Sequence, residues 1–421
     1  MPKIPARPYY QDDTCRIYHG DCLKVTPKIL QKVSAIVTDP PYGLKFMNKE
    51  WDRGVPGEEF WKAFLDICKP GTPLLAFGGC RTQHRLVCAI EDAGWLIANQ
   101  IYWVFGQGFP KAANISKNID KAAGAERGVI GKQKLRGTAR RMKGGNYNDF
   151  SGPDTSDVID ITAPATEAAK TWEGWYGGLQ NLKPAAEVIC YAMKPLDGTY
   201  ANNALKHGVA GLNVDASRVG VSDEDATAME RCNTPGSGRM RGRDPVNTQR
   251  GNKGSDGAAK GLDCQQGRWP ANLIHDGSDE VVELFPNTKS GKPVGKRNCR
   301  DGYGGNIAVG SDLTGFGDSG SAARFFYCAK ATKKERGKAN DHPTVKPLTL
   351  MKYLVKLVTP PNGGIVLDPF MGSGSTLLAC QELGIPCIGI DDDKESVEIA
   401  VKRLVGAKDS VERESYAKDS K

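Results

Sequence analysis

Apolar positions along the chain fall into two blocks of similar texture, separated by a long polar middle. In the first block, up to about Phe105, short apolar runs alternate with stretches of helical period. Arg16-Ile17-Tyr18 predicts a strand that ends at Gly20-Asp21, and Leu23 to Gln31 predicts a short helix. Val33 to Thr38 is an unbroken run that predicts a buried strand stopping at Asp39. Between Glu58 and Cys68, Phe60, Phe64 and Ile67 share one helical face, and Lys69-Pro70-Gly71 closes that helix. Leu74 to Phe77 predicts a strand, Gln83 to Ala93 a helix stopped by Gly94, and Ile101 to Phe105 another strand.

From about 106 to 340 the periodicity fades into Gly, Asn, Ser, Lys and Arg, a texture of binding loops rather than core. Two apolar runs interrupt it: Ala186 to Met193, a strand closed by Lys194-Pro195, and Arg324 to Cys328. The last block returns to alternation. Pro347 opens a helix with Leu350, Met351, Leu354, Val355 and Val358 in one stripe, stopped at Thr359-Pro360-Pro361. Ile365 to Leu367 predicts a strand, Ser375 to Leu383 a helix ended by Gly384, Cys387 to Ile390 a strand, and Lys394 to Leu404 a helix. The residues after Gly406 read as a charged, frayed tail. Strands alternating with helices predict an α/β fold, a mostly parallel sheet with right-handed crossovers. Seven strands are expected: four before residue 106, one near 190 and two after 364.

Composition narrows the class. A chain of 421 residues, 39% hydrophobic and 25% charged, reads as a soluble globular protein of one large or two medium domains. No apolar stretch reaches membrane-spanning length, and the first residues lack the apolar core of a signal peptide, so a cytoplasmic protein is expected. Twelve cysteines lie scattered without a Cys-x-x-Cys, and five histidines stand apart, so no metal site is expected. The net charge of +8 is concentrated in polar loops: Lys132 to Lys143, Arg239 to Arg243, and Lys289 to Arg300. Such loops suit a polyanion, although a solvated surface has the same composition.

The chemistry sits at two strand ends. Asp39-Pro40-Pro41-Tyr42 is a stiff loop: two prolines fix φ and remove two donors, leaving their carbonyls free to accept. A carboxylate, a rigid carbonyl and a flat ring together suit an amino group on an aromatic base. Asp368-Pro369-Phe370-Met371-Gly372-Ser373-Gly374 follows the other strand. Its two glycines, with Ser375 opening a helix, let backbone amides approach a cofactor. The loop has no Gly-Lys-Ser/Thr and no third fingerprint glycine, which argues against a phosphate loop and against a dinucleotide. Asp391 ends the next strand, where a ribose diol is taken in such folds, though Asp391 to Asp393 equally offer a helix N-cap. A nucleoside without pyrophosphate, S-adenosylmethionine, fits. In His342-Pro343-Thr344-Val345-Lys346-Pro347, Thr344, Lys346 and the helix start are placed to hold its methionine carboxylate; an ordinary proline-initiated helix is the plainer reading. Asp21 at its strand end is placed to meet the adenine.

With both loops quoted, the chain resembles the amino-group DNA methyltransferases, whose catalytic motif is (Asp/Asn/Ser)-Pro-Pro-(Tyr/Phe) and whose cofactor motif contains Phe-x-Gly-x-Gly. The catalytic motif comes first here, as in the beta group. The stretches Gly43 to Asp52 and Asn340 to Pro347 are similar to phage and prophage-type modification methylases. The resemblance covers roughly 15–105, 183–195 and 324–404, and departs at Asp391, where a glutamate is common. It implies a Rossmann-like class I methyltransferase fold with a seven-stranded, mostly parallel sheet and helices on both faces. It also implies a division of the chain. Residues 15–105 would be the catalytic half and 324–407 the cofactor-binding half. A basic loop insertion would occupy 106–182, a sheet strand 183–195, a target-recognition region 196–323 and a charged tail 408–421.

The resemblance further implies methyl transfer from S-adenosylmethionine to adenine N6 in double-stranded DNA after base flipping. Asp39, Pro40, Pro41 and Tyr42 would be catalytic; Asp21, Thr344, Lys346, Asp368, Phe370, Gly372, Gly374, Ser375 and Asp391 would bind the cofactor. A homodimer and a cognate restriction endonuclease are further expectations. Cytosine N4 is the alternative target, and an RNA or protein amine a more distant one. A nicotinamide oxidoreductase would leave Asp39 to Tyr42 without a role, and a silent DNA-binding module would bind salt-sensitively without turnover.

Overall fold

Val366–Asp368 and Ala35–Thr38 are buried along their whole length, as unbroken apolar runs require of central parallel strands. They lie side by side in the computed structural model, which describes residues 7–44, 54–106, 108, 110–134, 158–220, 267–289, 319–329 and 346–419. The main sheet is built from β1 (Tyr10–Gln11), β2 (Cys15–His19), β3 (Ala35–Thr38), β4 (Pro73–Gly78), β5 (Leu96–Val104), β6 (Ala186–Met193), β7 (Leu273–His275), β8 (Tyr327–Cys328), β9 (Val366–Asp368) and β10 (Cys387–Asp391). Their spatial order is β1-β2-β10-β9-β3-β4-β6-β5-β7-β8. From β2 through β4 every pairing is parallel; β6 runs antiparallel to both neighbours, β4 and β5.

The ten strands are the seven expected ones plus β1, β7 and β8 at the edges. These three are two or three residues long, too short to show a period. Within Arg324–Cys328 only Tyr327–Cys328 is strand, because Ala322–Phe325 close a 3₁₀ turn capped by the Ser321 hydroxyl.

Side chains alternate across the sheet and divide the core in two. Ala35, Val37, Leu75 and Phe77 face helices Leu348–Val358, Ser375–Glu382 and Lys394–Asp419. Ile36, Leu74, Ala76, Leu367 and Ile388 face helices Glu58–Ile67 and Gln83–Asp92. The stripe of Leu350, Met351, Leu354, Val355 and Val358 is fully buried as its spacing requires. On Glu58–Ile67, Trp61 rather than Phe60 takes the deepest place beside Phe64 and Ile67. The result is a three-layered, Rossmann-like α/β fold. Its sheet is mixed rather than mostly parallel beyond β4.

Two expectations of irregular chain are corrected. Within 106–182, Lys111–Asn114 pairs with Tyr176–Gln180, and Val129–Lys134 pairs with Val158–Thr162. This unit is organised around a polar centre, which hydrophobic patterning does not reveal. The Asp120 carboxylate accepts from Arg127 at 2.7 Å, from the Thr166 hydroxyl at 2.8 Å, and from the Ala165 and Thr166 amides at 3.0 Å. The tail is also not frayed at Gly406, because the last helix continues to Asp419. Lys408 anchors it to Asp12 at 2.9 Å, and its Lys, Glu, Arg and Ala content favours helix. Most of the basic loops singled out by charge fall outside the described residues.

Candidate active site

The strand order turns back on itself between β9 and β3. From β9 the chain crosses through Ser375–Glu382 to β10 on one side; from β3 it crosses through Glu58–Ile67 to β4 on the other. Ligands of such sheets bind at the carboxyl ends of the strands beside this reversal. Both motif loops open there. Pairing of Leu367 with Ile36 sets the ends level, and the Thr38 hydroxyl donates to Asp368 Oδ1 at 2.7 Å across the gap. Burial pushes the Asp368 carboxyl up to about 7, although donors from Thr376, Thr38 and the Phe370 amide hold it back.

On the β3 side, Asp39 is fully engaged. Its Oδ1 accepts from the Tyr42 hydroxyl at 2.7 Å and its Oδ2 from Lys346 Nζ at 2.6 Å. Glu187 joins them, 3.2 Å from Lys346 Nζ and 3.2 Å from the Tyr42 hydroxyl. Strand β6 is antiparallel to β4, with Val188 opposite Gly78, so Glu187 near its start reaches the rim where β4 ends. Tyr42 lies against backbone: a Cβ at Gly79 would stand 3.0 Å from its Cδ2. The Thr82 hydroxyl donates to the Tyr42 carbonyl at 2.7 Å. Burial, then the charges of Asp39 and Glu187, raise the Tyr42 phenol well above its usual range. Burial opposes the charge on Lys346, but Asp39 and Glu187 outweigh it and hold the ammonium above the ordinary lysine range. Two carboxylates around one ammonium leave a net negative cluster.

On the β9 side, Gly372 has φ +49° and its Cβ direction opens into free space, whereas Gly374 has φ +78° and packs on Ala400. Gly374 carries no side-chain cap for helix Ser375–Glu382, so the amides at that helix start are available to a ligand. Asp391 turns under the loop: Oδ2 accepts the Gly372 amide at 2.8 Å and Oδ1 the Asp393 amide at 2.9 Å. Burial lifts its pKa to about 6, offset in part by those two amides. Asp393 is exposed but caps the last helix through Ser396, and Asp392 beside it is exposed too. Phe370 sits among Phe60, Trp61 and Phe64, with ring centroids 5.9 to 6.5 Å away, and so anchors the loop. Arg403 supports the loop from below, donating to the Ser373 carbonyl at 2.5 Å and to the Ser373 and Ser375 hydroxyls at 3.1 and 3.2 Å.

Asp21 lies at the same rim, where Gly20 N–H donates to the Asp391 carbonyl at 2.8 Å, and its carboxylate caps the helix Cys22–Val25. Thr344, and the rest of His342 to Val345, lie outside the described residues. Lys346 was expected beside a methionine carboxylate; its ammonium instead points at Asp39. Thr38, Glu187 and Arg403 escaped the sequence reading. The one available signal was the charge of Glu187 at the head of an otherwise apolar run. Among the described residues no cluster of His, Cys, Asp and Glu is arranged for a metal ion, and no helix is long and apolar enough to cross a membrane.

The model of the N6/N4 family of DNA methylases matches residues 159–402, more than half of the chain, including Glu187, Lys346 and the whole of the Asp368 to Asp391 rim. The chain belongs to this N6/N4 DNA methylase family. Curated relatives match over short segments. The type II methyltransferase M2.DpnII of Streptococcus pneumoniae is 39% identical over 87 residues, 21% of this chain and 32% of that protein. M.HindIII of Haemophilus influenzae is 52% identical over 63 residues, 15% of this chain and 20% of that protein. The chain thus spans about a third or less of the length of these two relatives. Among solved structures, M1.HpyAVI is 16% identical with a TM-score of 0.39, over 93% of this chain and 98% of that one. The cytosine-N4-specific PvuII DNA methyltransferase is 12% identical with a TM-score of 0.39, over 94% and 88%.

The family's methyl donor is S-adenosylmethionine, and the residues present fit it. Open space at Gly372, the helix start after Gly374, and the carboxylates of Asp392 and Asp21 at the same rim offer backbone and acid to a nucleoside.

Proposed function

We propose that this chain is a site-specific DNA methyltransferase acting on the N6 amino group of adenine in double-stranded DNA. The observation that carries the reading is the pairing of β9 with β3, which sets the glycine loop and Asp39 at one rim. S-adenosylmethionine supplies an electrophilic methyl group on a sulfonium. The chain's residues supply the rest. Gly372, Gly374 and Ser375 hold the donor, Asp392 is placed for its ribose and Asp21 for its adenine ring. Asp39 and the Pro40 carbonyl accept the two N–H bonds of the target amine. That turns the nitrogen lone pair, otherwise conjugated with the ring, toward the methyl. The nitrogen gains positive charge as the methyl arrives, and the net negative Asp39–Glu187–Lys346 cluster favours that change. The proton then leaves to Asp39 or to water.

An amine stacked in a duplex cannot reach Asp39, so the base turns out of the helix into the crevice. Tyr42 stacks on it, a contact worth about 1–3 kcal/mol by analogy with other base–aromatic pairs. The basic loops of the middle region hold the phosphates. A cytoplasmic place of action, a homodimer and a partner restriction endonuclease belong to the same reading.

The aspartate that opens Asp39-Pro40-Pro41-Tyr42 favours adenine N6; cytosine N4 is the second reading, since the same clamp grips either amine. Unmethylated DNA incubated with the protein and S-adenosylmethionine, then digested to nucleosides for mass analysis, tests both. N6-methyldeoxyadenosine is expected. N4-methyldeoxycytidine alone would overturn the choice of base, and no methylated nucleoside would overturn the activity.

A further inference from the structure

The two oxygens of Asp39 are both occupied before any base enters, one by the Tyr42 hydroxyl and one by Lys346. A target amine that donates to Asp39 must share these oxygens with the two donors or replace them. Lys346 is only 8% exposed. Among the described residues, one other carboxylate is within reach of the same nitrogen: Glu187 Oε2, which, like that nitrogen, is also within reach of the Tyr42 hydroxyl. We propose that Glu187 is a positioning residue for methyl transfer, receiving the Lys346 ammonium and the Tyr42 hydroxyl as the target amine takes over Asp39. One carboxylate then clamps the base while the other keeps the displaced donors paired. This inference rests on the reading of Asp39 as the acceptor of the amine.

Physical costs favour the exchange. A buried ammonium parted from its carboxylate with no other partner is strongly destabilising. A second carboxylate already in contact lets the ion change partners without being desolvated anew. The movement is short, and aromatic faces line it: Lys346 Nζ lies 5.0 Å from the centre of the Phe77 ring and 5.5 Å from that of Tyr42. Placement on β6 also suits the role. A carboxylate carried by a strand of the main sheet is held more firmly than one on a loop. Among the described residues, the ionisable groups facing the ammonium are Asp39 and Tyr42 from the β3 loop and Glu187 from β6, so removing Glu187 leaves one of these two carboxylates to keep it charged.

The test uses the full chain with S-adenosylmethionine and unmethylated genomic DNA, comparing Glu187→Gln, Glu187→Asp, Lys346→Met, Asp39→Ala and the Glu187→Gln/Lys346→Met double variant. Glu187→Gln should lower kcat by about tenfold or more, with the KM for DNA and cofactor affinity within about twofold. The alkaline limb of its pH–rate profile should move to lower pH, because its lysine loses one of two carboxylates. Glu187→Asp keeps the charge, so it should retain the wild-type alkaline limb at reduced kcat; this variant reads the same point if the glutamine variant fails to fold. The double variant should be no slower than the slower single one, since Glu187 acts through Lys346. Unchanged kcat and pH profile in Glu187→Gln, with Asp39→Ala inactive, would overturn the hand-off while leaving the clamp intact. Additive losses in the double variant would also overturn it. Full activity in Asp39→Ala would overturn the clamp itself.

Discussion

Asp39 accepts from two donors in the free protein, so its loss disturbs Tyr42 and Lys346 as well as the target amine. Asp39→Ala should nearly abolish methyl transfer while S-adenosylmethionine still binds, as calorimetry against the isolated variant would record; retained turnover contradicts the clamp. Tyr42 carries two roles, where the sequence alone pointed to one. Its ring was legible as a stacking surface, but its hydroxyl also donates to Asp39. Tyr42→Phe should therefore cost about tenfold in kcat, the worth of one hydrogen bond to a charged group. Tyr42→Ala should cost clearly more because the ring goes too. Equal losses in the two would remove the stacking role. Asp39 to Tyr42 could be read from sequence because their chemistry is contiguous. Glu187 and Thr38 could not, because strand register alone brings them to the rim.

The glycine loop tests the same account at the level of an element. Both glycines have positive φ, but only Gly374 faces a neighbour, with its Cβ position 2.9 Å from Ala400 Cβ, while that of Gly372 meets nothing within 4 Å. Gly374→Ala should destabilise the fold by roughly 2–4 kcal/mol, strain plus overlap, and Gly372→Ala by about 1 kcal/mol from strain alone. Thermal melts of the two variants would check the order; equal shifts would deny the packing of the loop on the last helix.

Asp368 beneath this loop gives a pH dependence. Its carboxyl binds a proton more tightly folded than unfolded, so its contribution is present below the ordinary carboxylate value of 3.8 and is lost as pH rises through about 7. Asp368→Asn, which mimics the protonated form, should raise the melting temperature more at about pH 8 than at about pH 5. An equal effect at both would place its proton affinity near the ordinary value.

For the molecule as a whole, hydrophobic pattern predicted seven strands of the main sheet and the helices that cover it, since burial on both faces of the central strands writes unbroken runs. It did not predict β1, β7 and β8: β1 is two residues long, and the pairing of β7 and β8 is decided by neighbours distant in sequence. Nor did it predict the unit around Asp120 and Arg127, held by ion pairing rather than by apolar period. The meeting of the two motif loops is what the resemblance to the amino-group DNA methyltransferases implies, and the parallel pairing of β9 with β3 brings it about. The most direct measurement is a crystal structure with a non-reactive S-adenosylmethionine analogue and duplex DNA. The account predicts one base turned out of the helix, its amino nitrogen hydrogen-bonded to Asp39 and about 3–3.5 Å from the position of the transferable methyl. A base left in its stack, or an analogue bound away from Gly372, would contradict it.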